Sequence, residues 1–145
     1  MKIVELKDTS VFYRKNIALK NINLSIEEGT HLAVIGPNGA GKTTLLTVIN
    51  GLTKINKGSV NVFGQRLDYK NVSQIRKEIG YLPQNINIDR RFPISVYEVV
   101  MIGRIAKVGL FRSLSSQDKE IVEESLRLCG IEKLASRPIG HLSAG

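Results

Sequence analysis

A glycine-rich segment in the first third of the chain has the residue types and the spacing of a phosphate site. Gly36, Gly41, Lys42 and Thr43 occupy the fixed positions of the pattern G-x-x-x-x-G-K-[ST]. The glycines let backbone N–H groups converge on phosphate oxygens, while the Lys42 ammonium neutralises the β- and γ-phosphates. The Thr43 hydroxyl can ligate magnesium. The segment therefore predicts binding of a magnesium nucleotide, with an ordinary strand-to-helix turn as the alternative.

The elements on either side of this segment would hold it in position. Residues 31–35 are a mostly apolar run, which predicts a strand buried on both faces of a parallel sheet. From Lys42 onward, apolar residues follow helical spacing until Gly51, which provides a helix stop. A strand, a glycine loop and a helix therefore follow one another, and the helix N-terminus adds a dipole that favours an anion.

The remainder of residues 1–84 has the patterning of an α/β core. Residues 3–6, 19–26 and 58–64 alternate in the manner of strands, and turn residues separate them. A short apolar run at 79–82 precedes a proline. These segments together with the predicted helix favour a sheet covered by helices.

Residues from about 90 to 140 have helical patterning and are predicted to form a helical subdomain. Ser95 and Glu98 stand at the two ends of a capping box, which predicts a helix start. A second helix is expected after Ser115 or Ser116, with its acidic residues mainly away from its apolar face. That apolar face comprises Ile121, Val122, Ser125, Leu126 and Cys129.

Length, charge and cysteine content restrict the class of protein. The chain has 145 residues, the length of one domain, and no apolar stretch long enough for a transmembrane helix. Glu5 stands where a signal peptide needs an apolar core, and the single Cys129 cannot form an intrachain disulfide, so we expect a reducing, cytoplasmic compartment. The net charge of +8 favours acidic partners such as nucleotides, nucleic acids or anionic membrane surfaces.

Three motifs in a fixed order resemble those of the ATP-binding-cassette (ABC) ATPases, and the resemblance extends over essentially the whole chain. Residues 36–44 resemble the Walker A motif, residues 81–84 the Q-loop, and residues 142–145 the start of the signature motif. Tyr13 stands where that family has an aromatic residue that stacks on adenine. The resemblance implies an α/β P-loop NTPase core with N-terminal antiparallel β-strands and a helical subdomain, truncated before the Walker B motif.

The resemblance also implies roles for individual residues. Lys42 and Gln84 would be the catalytic residues, and Thr43 and Gln84 would contact magnesium; Gln84 as a plain loop amide is the alternative. Ser143 would face the γ-phosphate held by a second protomer, or serve only as a helix cap. Tyr13 would be a surface aromatic if it does not stack on adenine. The implied nucleotide contacts are Tyr13, Gly36, Pro37, Asn38, Gly39, Ala40, Gly41, Lys42, Thr43, Thr44, Ser143 and Gly145.

Two departures from the family pattern limit what this chain is expected to do. Ala144 replaces the glycine that is most frequent at that position of the signature motif, and the chain contains none of the family's later motifs. Neither His31 nor His141 stands where the switch histidine would be, and both are expected to be structural. The 145 residues alone are therefore expected to bind ATP and Mg²⁺ without hydrolysing ATP.

The segment between Gln84 and Ser143 favours one branch of the family. It is too short for the long insertions of chromosome and repair ATPases, and residues 89–104, 109–112 and 137–140 resemble ATPase subunits of bacterial manganese, zinc and iron importers. The implied partners are a transmembrane permease, a second ATPase protomer arranged head-to-tail in a homodimer and, indirectly, a substrate-binding protein, at the cytoplasmic face of the membrane. No nucleic acid is expected.

The alternative is a ribosome- or nucleic-acid-associated ATPase of the same family. Its phosphate contacts would come from Arg90, Arg91, Arg104, Lys107 and Arg112.

Two apolar surfaces are also expected. Phe92 and Tyr97 are predicted to line a groove that receives a short helix of the membrane subunit, whereas Val96 and Val99 are assigned to the core of the subdomain. A second surface, at Leu32, Val34 and Val60, is expected to remain an unpaired sheet edge, through which the isolated chain would aggregate or dimerise.

Overall fold

The computed structural model divides into two compact units, Met1–Tyr81 and Leu82–Gly145. It describes residues 1–14, 16–84, 91, 93–109 and 112–142, with Ala106 described by its backbone alone. None of the helices in these ranges has the length and apolar character needed to cross a membrane.

A four-stranded antiparallel sheet is the framework of the first unit. Its strands lie in the order β2-β1-β3-β4, and the two longest, β1 and β2, are neighbours. Irregularities in the β1–β2 register bend the pair at several points. The strands are β1 (Lys2–Tyr13), β2 (Asn16–Glu27), β3 (Lys57–Val62) and β4 (Gln65–Arg66). The three longer strands confirm the alternating segments predicted from the sequence.

The core of the first unit lies between this sheet and two helices, α1 (Lys42–Ile49) and α2 (Val72–Arg76). Val4 of β1 lies opposite Val62 of β3, and Leu6 lies opposite Val60. The apolar side chains of both strands therefore share one face. The buried members of this core are Val4, Leu6, Val11, Leu19, Val48, Val60, Val62 and Ile75.

Backbone contacts at the end of α1 hold the two helices together. Gly51 has φ +69°, and a Cβ there would overlap Val72 at the start of α2. Arg76, at the end of α2, donates through Nε to the Asn50 carbonyl at 3.2 Å and through Nη2 to the Gly51 carbonyl. The two carbonyls that directly follow α1 therefore have a charged donor as partner, and the Gly51 stop is confirmed.

The prediction of a strand at residues 31–35 is wrong. These residues have no regular secondary structure and are exposed, and Ile35 is 91% exposed. A parallel strand needs hydrogen-bonding neighbours, and the described residues place none beside this segment. Residues 79–82 likewise form no strand. Of the expected exposed edge, Leu32 and Val34 are exposed, but Val60 is buried because β1 and β4 flank β3.

The second unit is built from two helices that pack on one another, α3 (Val96–Val108) and α4 (Ser116–Leu128), followed by short 3₁₀ turns at Glu132–Leu134 and Ile139–His141. The predicted capping box of Ser95 with Glu98 is present, and a second one, formed by Ser115 with Asp118, starts α4 at the first of the two expected positions. Its buried apolar residues are Val96, Val122 and Leu126.

An ion pair between Arg104 and Asp118 joins these two helices. It also places Asp118 in the interior, whereas the sequence predicted a polar face of α4. The Arg104 guanidinium donates through Nε to Asp118 Oδ1 at 3.0 Å, and the Ser115 hydroxyl donates to Oδ2 at 2.7 Å. Asp118 is therefore buried, although the acidic residues of α4 were expected mainly on its polar faces. Two further assignments to the core are wrong, since Val99 is 37% exposed and Cys129 is exposed.

Asp118→Asn is expected to reduce the loss of unfolding free energy that occurs as the pH falls. The hydrogen bond from Ser115 and then the Arg104 guanidinium favour the ionised carboxylate, which lowers the Asp118 pKa from 3.8 to about 2. Because the pKa is lower in the folded state, the stabilisation is complete above the unfolded value of 3.8 and is lost as the pH falls toward 2. Urea unfolding measured across this pH range should show a smaller pH-dependent loss for Asp118→Asn than for the parent. Glu120→Gln, a neutralisation at an exposed position of α4, serves as the control. Equal losses for parent and Asp118→Asn would contradict this coupling.

Candidate phosphate-binding site

The predicted phosphate loop is closed by its own lysine. Residues 36–41 form an irregular loop, and α1 begins at Lys42. Lys42 Nζ donates to the carbonyl oxygens of Gly36 at 2.8 Å and Pro37 at 2.7 Å. These two bonds draw the side chain back along the loop from the helix N-terminus. The ammonium and the N-terminal end of α1 consequently face the same loop, which gives it the positive character that a phosphate requires.

Gly41 joins the loop to the antiparallel sheet. It has φ +88°, in the left-handed region, and a Cβ at this position would overlap the carbonyl oxygen of Ala18 and meet Leu19 Cδ2 at 3.0 Å. The loop therefore touches the backbone of β2 at a point where no side chain fits. Gly39 also has positive φ, at +82°, but a Cβ there meets no atom within 4 Å. The two glycines thus serve different purposes, since one permits a turn and the other also permits close packing.

The same contact brings the Tyr13 end of the β1–β2 hairpin toward the phosphate loop. Ala18 lies between Ile17 and Leu19, which pair with Phe12 and Val11 of β1. Tyr13 follows Phe12 directly and is 50% exposed, whereas Phe12 is only partly exposed. Tyr13 therefore presents an accessible ring near the strand that Gly41 touches, as stacking on a base requires.

The residues near the loop suit a phosphate-bound magnesium ion better than a metal held by protein ligands alone. Thr43 is exposed in the first turn of α1, where its hydroxyl can reach a metal beside the phosphates. Among the described residues there is no group of three or more His, Cys, Asp or Glu side chains that could hold a metal. Magnesium commonly takes one or two protein ligands and completes its shell with phosphate oxygens and water, so the donor set fits.

Of the other predicted site residues, the structure describes Gln84, in the second unit. Gln84 is exposed at a bend, as an amide that contacts solvent or ligand would be. Ser143 and Gly145 fall outside the described residues. His31 and His141 are both exposed. Within the first unit, the loop that ends at Gly41 packs against β2, the strand that pairs with the segment of β1 that ends at Tyr13.

The family is decided by comparison with known sequences. The pattern that describes the ABC transporter family matches residues 19–145. The chain belongs to the ABC transporter family.

Two curated relatives of this ABC chain match over nearly its full length. The manganese transport system ATP-binding protein MntB of Halalkalibacterium halodurans is 44% identical over 143 residues, which are 99% of this chain and 55% of that protein. The zinc uptake system ATP-binding protein ZurA of Listeria innocua is 39% identical over 146 residues, with shares of 99% and 55%. The chain therefore spans about half the length of the curated relatives it matches.

Solved ABC structures confirm the predicted fold class. A dimeric ATP-binding cassette in a post-hydrolysis state, bound to ADP and Pi, has a TM-score of 0.81 at 29% identity and covers 97% of this chain and 63% of its own. The cbiO1 protein of Clostridium perfringens, part of the transporter complex cbiONQ, has a TM-score of 0.79 at 30% identity, with shares of 98% and 56%. The α/β P-loop NTPase class with N-terminal antiparallel strands is thus confirmed.

Sequence reasoning missed the contact between Gly41 and Ala18. The glycine is part of the motif, but its neighbour on β2 is more than twenty residues earlier and carries no motif of its own. The one available signal is that Ala18 is small.

Gly41→Ala is expected to destabilise the protein more than Gly39→Ala. Each substitution puts an alanine in left-handed backbone, at a cost of roughly 1–2 kcal/mol. Only Gly41→Ala also forces a methyl group against the Ala18 carbonyl, and such overpacking adds about 1–3 kcal/mol. Thermal and urea unfolding of both variants would measure the difference. Equal destabilisation would show that the loop does not pack against β2 as described.

Proposed function

We propose that this chain is the nucleotide-binding part of an ABC importer ATPase that couples ATP hydrolysis to uptake of manganese, zinc or iron. The observation that carries the ATP-binding half of the proposal is the loop formed by residues 36–41, closed by Lys42 at the N-terminus of α1. The metal half rests on relatives named as manganese and zinc transport proteins at 44% and 39% identity.

Each residue around the loop has a definite task in this proposal. Lys42 would exchange its two carbonyl acceptors for oxygens of the β- and γ-phosphates, which are stronger partners because they are charged. Backbone N–H groups of residues 36–44 would contact the remaining phosphate oxygens. The Tyr13 ring would stack on adenine. Thr43 would hold Mg²⁺, which neutralises phosphate charge when it is bound.

Hydrolysis in this proposal needs contributions from outside the first unit. Gln84 offers an amide carbonyl to Mg²⁺ and to the attacking water, and thereby senses the γ-phosphate. Ser143 and Gly145, at the start of the signature motif, would contact the γ-phosphate held by a second protomer. The domain arrangement we propose is a nucleotide-binding core over residues 1–84 and a helical subdomain over about 90–140.

The proposed partners follow from the transporter assignment. They are a transmembrane permease, a second ATPase protomer in a head-to-tail homodimer and, through the permease, a substrate-binding protein. The dimeric state of a 29%-identical cassette bound to ADP and Pi supports the second protomer. The proposed location is the cytoplasmic face of the membrane, to which the protein binds peripherally.

A nucleic-acid-associated ATPase is the less favoured alternative. Arg104, one of the five cations offered for phosphate binding, is tied to Asp118 within the helical unit. Arg90 lies outside the described residues. The curated relatives cited above are transport proteins by name, which further favours the importer.

Lys42→Ala is expected to abolish ATP hydrolysis by the full-length protein, because the charge that neutralises the γ-phosphate is lost. Gln84→Ala should instead reduce ATPase activity and metal uptake while leaving the Kd for nucleotide within a few-fold. Steady-state ATPase assays, nucleotide titration and uptake of Mn²⁺ and Zn²⁺ by cells test both statements. Full hydrolysis by Lys42→Ala would overturn the ATP assignment, whereas hydrolysis without metal uptake in the parent would overturn only the importer assignment.

Tyr97→Ala is expected to uncouple the ATPase from its membrane partner. Tyr97 is half-buried on α3 beside the small core of the second unit, so part of its ring remains available to a partner helix. Val99→Ala, an exposed position on the same helix, is the matched control, and Phe92, which lies outside the described residues, provides a second test position. Co-purification with the permease should fall for Tyr97→Ala and not for Val99→Ala, with nucleotide affinity unchanged. Unchanged co-purification and metal uptake in Phe92→Ala/Tyr97→Ala would contradict the docking assignment.

A further inference from the structure

A continuous positively charged surface lies on the first unit, around the end of α1 that is opposite to the phosphate loop. Two open depressions adjoin there and share the lining residues Ile55, Val60, Leu67 and Asp68. Four cations line the two depressions, and a fifth lies beside them with its Nζ 5.7 Å from the centroid of the Tyr69 ring. The five cations, which we call the basic surface, are Lys54, Lys57, Arg66, Lys70 and Arg76.

The charge of the basic surface is not neutralised by ion pairs. All five cations are exposed, and none of them forms a salt bridge with another residue of the described ranges. The one acidic residue that lines the depressions is Asp68, whose Oδ1 accepts from the backbone N–H groups of Lys70 at 2.7 Å and Asn71 at 3.0 Å. Five cations and one carboxylate leave a net charge of +4, half of the +8 of the whole chain. The surface therefore favours an extended anionic partner.

Two apolar side chains are exposed among these cations. Tyr69 is 82% exposed and Leu52 is 54% exposed, and both line the same depression as Lys54 and Arg76. The phosphates of a nucleic acid would pair with the cations but would leave Leu52 in water. The surface of an anionic bilayer offers phosphates to the cations and, just below them, an apolar phase to Leu52 and Tyr69. The mixture of side chains thus fits a lipid surface better than a nucleic acid.

We propose that the basic surface binds the anionic headgroups of a membrane. The cations would contact headgroup phosphates, while Tyr69 and Leu52 would reach the boundary between headgroups and acyl chains. This contact rests on the proposed peripheral location at the membrane, but docking on a permease alone would not require it. Each Lys or Arg close to an anionic surface strengthens binding about five-fold, so several cations together give measurable affinity.

The lipid contact is separate from the nucleotide site. The eight residues of α1 span about 12 Å between its two ends, and the phosphate loop precedes the other end of this helix. Removal of cations from the basic surface should therefore leave ATP hydrolysis by the full-length protein at the parent's rate.

The first test is sedimentation of the full-length ATPase, without permease or ATP, with two kinds of vesicle. One contains phosphatidylglycerol mixed with phosphatidylcholine, and the other contains phosphatidylcholine alone. The protein should sediment with the anionic vesicles only. Binding should be lost as the NaCl concentration rises from about 0.1 M to 1 M, since the Debye length falls from about 10 Å to 3 Å. No binding to anionic vesicles, or equal binding to both kinds, would overturn the proposal.

A triple variant tests whether the basic surface itself makes the contact. Lys54→Gln/Lys57→Gln/Lys70→Gln should bind anionic vesicles roughly 100-fold more weakly than the parent, at an unchanged Tm and rate of ATP hydrolysis. The matched control removes the same charge at three exposed positions elsewhere, Lys20→Gln/Lys119→Gln/Lys133→Gln. The control should keep the parent's affinity within a few-fold. Equal losses in the two variants would show an effect of net charge alone and overturn the proposal.

Two further measurements separate lipid from the other anionic partner and from the proposed function. A short single-stranded RNA that binds the parent more tightly than the vesicles do, and that the triple variant no longer binds, would assign the surface to nucleic acid and overturn the proposal. Vesicle binding by a parent protein that does not hydrolyse ATP would overturn the proposed function and support the lipid contact. Hydrolysis and metal uptake without vesicle binding would overturn the lipid contact alone.

Discussion

The phosphate loop packs against the antiparallel sheet at Gly41, where a Cβ would overlap the Ala18 carbonyl oxygen. Because no side chain fits there, the last residue of the loop is fixed relative to β2 by main-chain atoms on both sides. Two other features follow from it. The helix that begins at Lys42 starts from a fixed point, and the hairpin end that carries Tyr13 is held on the same side. Close packing rather than charge therefore organises the part of the molecule that would receive a nucleotide.

Helix α1 is held both by its apolar face and by its ends. Val48 is fully buried in the core and Leu45 and Ile49 pack against that core, because a helix of eight residues depends on tertiary packing. At one end Gly41 packs against β2, and at the other Gly51 packs against Val72 while Arg76 donates to the Asn50 and Gly51 carbonyls just beyond the helix. The solvent-facing side of the helix makes none of these contacts, and Thr43 is exposed on that side.

Features encoded by neighbouring residues could be predicted from the sequence, and features that depend on distant partners could not. The boxes at Ser95 and Ser115 need residues only three positions away, so the sequence alone locates the first helix start and restricts the second to Ser115 or Ser116. Burial of Asp118 depends on Arg104, which is fourteen residues earlier on another helix. Residues 31–35 have the composition of a buried strand, but hydrogen bonding to neighbours decides whether a strand forms. In the site, the motif predicts residues 36–44, whereas the motif has no information about Ala18, which sets the position of Gly41.

The two capping boxes also bear on the order in which the chain acquires structure. In the second unit, each helix is 13 residues long and begins with hydrogen bonds between residues three apart, so its first turns require only short loops to close. The sheet of the first unit pairs Glu5 with Asn61, which are 56 positions apart in the sequence. Folding rates fall as contacts become less local. Although the second unit is synthesised later, its helices have the shorter conformational search, and we expect the closure of β1 on β3 to be the slower step in folding.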